Sequence, residues 1–149
     1  MMKRRVLGIA FGAVVMALMS VTAFAQLPGA PIRANIPFDF TVRGRTLPAG
    51  HYEISRITDE AGGLEIANID HRSEHTMIET EPVQQARIPN RGKVVFHRYG
   101  DVYFLYEVWT PGMETGREIE PSRRERTLER DMAMGGKQAQ PETVAITIN

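Results

Sequence analysis

Two apolar runs flank the dipeptide Gly100-Asp101, with Lys93-Val94-Val95-Phe96-His97-Arg98-Tyr99 before it and Val102-Tyr103-Phe104-Leu105-Tyr106-Glu107-Val108-Trp109 after it. β-Branched and aromatic residues on both sides of a two-residue turn containing glycine form a β-hairpin. The second arm is apolar at both parities, so it is expected to be covered on both faces, as a central strand is. A chain built around such a hairpin must supply neighbours for its strands and layers for both its faces.

The segments upstream fit that demand. Ile36, Phe38, Phe40 and Val42 alternate with Asn35, Pro37, Asp39 and Thr41, the period of a half-buried strand. Pro37 lacks an N–H and suits an edge or a bulge. Arg43-Gly44-Arg45-Thr46 and Leu47-Pro48-Ala49-Gly50 read as turns, followed by strands at His51 to Ile57, Leu64 to Ile69 and His75 to Glu81. The third of these upstream strands loses phase between Ile66 and Ala67, which predicts a bulge or a strand end. Pro82 is expected to stop the fourth, and residues 82–93 to form a long connection. Thr143 to Ile148 alternates again and could return to the sheet.

Between the hairpin and this last strand the composition changes, with 11 charged residues among the 18 from Glu114 to Asp131. Ser122-Arg123-Arg124-Glu125 has the capping-box form, which predicts a short solvated helix near 122–134 ended by Gly135-Gly136. Leu128 and Met132 are its apolar stripe. The expected fold is mainly β: a small antiparallel sandwich or barrel of six to seven strands with one short C-terminal helix.

The N-terminus obeys different rules. Lys3, Arg4 and Arg5 precede an apolar run from Val6 to Met19, and Ala23 and Ala25 fit the small-residue positions of a signal peptidase site. Residues 1–25 are therefore expected to be a cleavable Sec signal, 26–34 a leader, and 35–149 one β-domain. The apolar run is shorter than the ~20 residues of a membrane span, so no stable membrane insertion is expected after cleavage. The destination is the periplasm or the outside of the cell. The whole chain balances 18 basic against 18 acidic side chains; removing the three basic residues of the signal leaves 15 against 18, a formal charge of −3. That charge argues against a nucleic-acid partner. There is no cysteine, which excludes a disulfide framework, a thiol nucleophile, a Cys-ligated metal and an N-terminal lipid anchor.

Few residues suggest chemistry. His71-Arg72-Ser73-Glu74-His75 matches the H-x-x-E-H order of a zinc protease family, but it lies between two strand-like runs, where residues four apart do not converge. His71, Glu74 and His75 are therefore read as turn residues, and neither a metal nor a cofactor is expected. His51 and His97 read as strand-face residues, and Glu79 and Glu81 as solvated ones. Tyr99, Tyr103, Tyr106 and Trp109 gather aromatic surface on the hairpin and are the candidate ligand-binding residues, by stacking on a sugar ring or a lipid-like ligand. No P-loop, G-x-S-x-G, dinucleotide fingerprint or EF-hand loop is present.

Asn35-Ile36-Pro37-Phe38-Asp39-Phe40, Leu47-Pro48-Ala49-Gly50-x-Tyr52 and Phe96-His97-Arg98-Tyr99-Gly100-Asp101-x-Tyr103-Phe104-Leu105 together resemble a group of small signal-bearing exported bacterial proteins of unknown function. The resemblance implies a small exported β-domain and carries no activity. The expectation is a non-enzymatic domain that binds a ligand or partner, an envelope component or glycan, through the hairpin 93–109 and the edge strand 35–42. One alternative is a structural or secretion-accessory envelope protein that self-associates through edges near Thr41 and Thr147. A small hydrolase using Glu79, Glu81 and His75 is the other.

Overall fold

The computed structural model describes residues 29–57, 62–136 and 140–148. The expected signal 1–25, with Ala23 and Ala25, lies outside them. Among the described residues eleven strands and one helix follow in chain order: β1 (Ile32–Ile36), β2 (Phe40–Val42), β3 (Arg45–Leu47), β4 (Gly50–Arg56), β5 (Gly63–Asn68), β6 (His75–Glu79), β7 (Glu81–Gln84), β8 (Gly92–Tyr99), β9 (Val102–Trp109), β10 (Thr115–Glu118), α1 (Arg123–Met134) and β11 (Glu142–Ile148). They build a sandwich-like, mainly β fold with one C-terminal helix. One sheet is β1-β4-β5-β6; the other runs β11-β8-β9-β10-β7, with β2 pairing parallel to β9 and β3 lying on β2.

The strands are more finely divided than their patterning implies, for local reasons. Pairing begins at Ile32, inside the stretch read as leader, and the run to Val42 splits after Ile36, where Pro37 follows. β1 then stays in the four-stranded sheet while β2 crosses to the other, between β3 and β9. Thr41 is 3% exposed there, so it is an interior residue and not an edge. The chain crosses between the sheets again at Thr80, whose N–H and hydroxyl both donate to the Gly62 carbonyl. Pro82 does not end the strand. β7 borders its sheet, and a proline is tolerated there because no ladder bond is needed on the open side. No register shift marks Ile66/Ala67; β5 pairs regularly and ends at Asn68, whose Oδ1 accepts from the N–H groups of Asp70 and His71 at 2.9 Å each.

The core lies between the sheets. Ile36, Tyr52, Ile54, Leu64 and Ile66 from the four-stranded sheet meet Phe40, Val42, Val94, Phe96, Leu105 and Val108 from the other. Each such side chain stabilises by roughly 1.5–3 kcal/mol when fully buried. Tyr52 closes one corner by donating its hydroxyl hydrogen to the Pro48 carbonyl at 2.6 Å, the tie that a tyrosine corner makes in β-sandwiches.

Candidate functional site

The hairpin forms over nearly the residues expected, with a bulge that decides where its aromatics point. Val95 faces Glu107 while Phe96 faces Leu105, so Tyr106 is the extra residue on β9. Leu105 and Val108 therefore both reach the core, and Tyr106 and Trp109 lie on the outer face with His97, Tyr99 and Phe104.

The four candidate aromatics are distributed over both faces. Tyr103 lies on the core side, half-buried, stacked on Phe38 at 3.8 Å, with the Arg98 guanidinium 5.5 Å from its ring. Tyr99 is 5% exposed and meets Phe104 edge-on. Trp109 is 3% exposed; its indole covers Gly116 and its Nε1–H donates to Glu107 at 2.8 Å. Tyr106 stacks on the His97 ring at 3.8 Å. These rings spend most of their faces on the protein itself, and no flat platform unites them.

They surround a polar centre that patterning does not reveal. Glu125, the one buried residue of α1, is 4% exposed and sits 3.0 Å from His97 Nδ1. Tyr99 lies beside Glu125; burial, with Glu125 and Glu129 nearby, pushes its phenol up to about 12. Burial likewise raises Tyr106, helped by Glu118 and Glu107. Phenols held above their ordinary range stay protonated and act as donors, which suits them to holding a carboxylate and not to abstracting a proton. The capping-box expectation is thus half met. Ser122 Oγ accepts from the Glu125 N–H at 3.2 Å, but the Glu125 side chain turns inward to His97. A histidine oriented by a carboxylate is two-thirds of a hydrolytic triad. Among the described residues, however, no serine or threonine hydroxyl joins His97.

A concavity of about 430 Å³ is on the outer face of the four-stranded sheet. Cross-strand register explains it. Arg33 faces Glu53, Glu53 faces Ala67, and Ala67 faces His75, so one transverse row runs across all four strands with its shortest side chain in the middle. Ala67 is the floor. Glu65 and Ile69 flank it along the chain, and Arg72 of the β5–β6 loop rises beside it. Arg33 Nε donates to Glu53 at 2.9 Å. The loop is set by Asn68 and by His51, whose Nδ1 lies 2.9 Å from Asp70 and whose hydrogen bond holds that exposed carboxyl below its ordinary value. The histidines and glutamate of the H-x-x-E-H match do not converge. Glu74 turns to Arg45 at 3.3 Å, the His75 carbonyl accepts from the same guanidinium, and no three metal-binding side chains gather among the described residues. Glu79 and Glu81 are exposed on either side of Thr80. Among the described residues no helix is long and apolar enough to cross a membrane.

No protein-family model, curated protein or solved structure matches this chain.

Proposed function

We propose that the protein is an exported, non-catalytic β-domain that binds an envelope partner, protein or glycan, in the groove above Ala67. The observation that carries this reading is the transverse row Arg33, Glu53, Ala67, His75, which opens a depression of about 430 Å³, lined by charged and apolar groups, on the sheet. Its rim offers guanidinium donors from Arg33 and Arg72 and carboxylate acceptors from Glu53 and Glu65, the complement of a hydroxyl-rich or zwitterionic surface. Side chains held on strands keep their geometry better than side chains on loops, which favours recognition. Export is argued from the arrangement of residues 1–25.

The test places a photo-crosslinking residue at position 67 in the producing cell, with position 134 at the exposed end of α1 as the control. The proposal expects an adduct of defined mass from 67 alone, abolished by Arg72→Glu. Equal adducts from both positions, or an adduct indifferent to Arg72→Glu, would sink it. β11 favours one other reading: among the described residues it borders its sheet and pairs only with β8. Concentration-dependent association abolished by Thr147→Lys would assign the surface to self-association instead.

A further inference from the structure

A second concavity, about 470 Å³, lies where the β2–β3 turn meets the start of α1. Two distant segments fill its rim with positive charge: Arg43 from the turn, and Arg123, Arg124 and Arg126 from the first turns of the helix. Val42 pairs with Arg45, so Arg43-Gly44 is a two-residue hairpin turn, and both residues have positive φ, 49° and 90°. Asn, Asp or Gly is the usual occupant of the first of these positions. An arginine there is conformationally disfavoured, and it carries a guanidinium to the cleft.

The acids nearby do not neutralise this rim. Glu120 is shared, 3.7 Å from Arg43 and 3.3 Å from Arg126. Arg123 and Arg124 make no side-chain ion pair among the described residues. Four guanidiniums against one carboxylate leave a formal +3. Glu125, which a capping box would hold at this helix end, is withdrawn to His97. At the helix terminus the Glu125 N–H is already taken by Ser122 Oγ. The recognising groups are the guanidiniums.

We infer that this cleft binds a multiply charged phosphate group, a phosphomonoester or a pyrophosphate. One guanidinium fork satisfies a carboxylate, whereas a phosphate presents three or more oxygens and up to two charges and can engage several forks at once. That match in charge and donor number is the reason for choosing phosphate over a carboxylate ligand. The phosphate can be free or on a lipid headgroup.

The experiment titrates the purified protein with pyrophosphate by calorimetry at low salt, and in parallel measures co-sedimentation with phosphatidylcholine vesicles with and without phosphatidic acid. Saturable binding is expected to at least one of these. Arg123→Gln with Arg124→Gln should weaken it by about tenfold or more, the loss of roughly one charged hydrogen bond. Added salt should weaken it further, since the side chains are exposed. Arg87→Gln, in the exposed β7–β8 loop, should bind as the parent does, and unchanged melting curves would show that the variants fold. Binding to pyrophosphate alone assigns a soluble ligand, and binding to phosphatidic acid vesicles alone assigns a headgroup. No binding to either, or equal weakening by Arg87→Gln and the double variant, overturns the inference.

Discussion

Replacing His97 by alanine tests how α1 is held. The helix buries one side chain, Glu125, whose Oε1 lies 3.0 Å from His97 Nδ1. Removing the imidazole strands a carboxylate that is 4% exposed, with the Tyr99 phenol nearby. Breaking a fully buried charged pair from one side costs about 3–5 kcal/mol. The His97 side chain is 15% exposed, so water can enter the space it leaves, and the Tyr99 phenol remains close to the carboxylate. Both facts lower the expected loss to about 2–3 kcal/mol. Glu125→Gln keeps one acceptor of similar shape and should cost about 1 kcal/mol. The two changes share one interaction, so the double variant should be more stable than their sum implies by about 1–2 kcal/mol. Urea titration reads all four proteins; with a slope of about 1–3 kcal/mol per molar, His97→Ala should lower the midpoint by roughly 1–2 M. Hydrogen exchange should show the α1 amides losing protection before those of β8 and β9. A His97→Ala protein within about 0.5 kcal/mol of the parent, additive with Glu125→Gln, would refute the reasoning.

Three further outcomes are expected. A Cβ on Gly116 would sit 2.6 Å from Trp109 Cε3, so Gly116→Ala should cost about 1–3 kcal/mol and red-shift the emission of the chain's one tryptophan. Tyr52→Phe removes the 2.6 Å bond to the Pro48 carbonyl and should lose about 1 kcal/mol in the same urea titration. Tyr99 ionises near 10 when unfolded and about 12 when folded, so its contribution is complete below pH 10 and disappears as pH rises to 12. The drop attributable to it is roughly 2–3 kcal/mol across that window, and Tyr99→Phe should remove that part of the pH dependence.

How much of this was legible in the chain depends on whether a residue's role is set by near or distant neighbours. The β8–β9 hairpin could be read because its turn, its propensities and its two-sided burial all depend on adjacent residues. β10 could not. Thr115-Gly116-Arg117-Glu118 has no apolar alternation, and Gly116 is in the sheet because the Trp109 indole requires a residue without a side chain beneath it. The aromatics were visible as a cluster, but their division between faces follows from one bulge at Tyr106 that no local signal marks. The groove was equally hidden. Arg33, Glu53, Ala67 and His75 become neighbours only through the register of four strands. Ser122 and Glu125 announced a helix start, yet the motif is silent on the buried partner that captures the glutamate.

That capture links the helix dock to the arginine cleft. In a capping box the carboxylate of Glu125 would lie at the helix start beside Arg123 and Arg124, cutting the rim's formal charge from +3 to +2. Docking on His97 takes it into the protein interior, so the full charge of the cleft exists only while α1 is seated. The two properties must then change together. His97→Ala, which removes the partner that holds the carboxylate inward, should weaken pyrophosphate binding without altering any arginine, and Glu125→Gln, which abolishes the charge in either position, should weaken it less. The comparison is made at one salt concentration by calorimetry, alongside exchange of the α1 amides. Unchanged pyrophosphate affinity in a His97→Ala protein whose α1 amides have lost protection would separate the cleft from the dock.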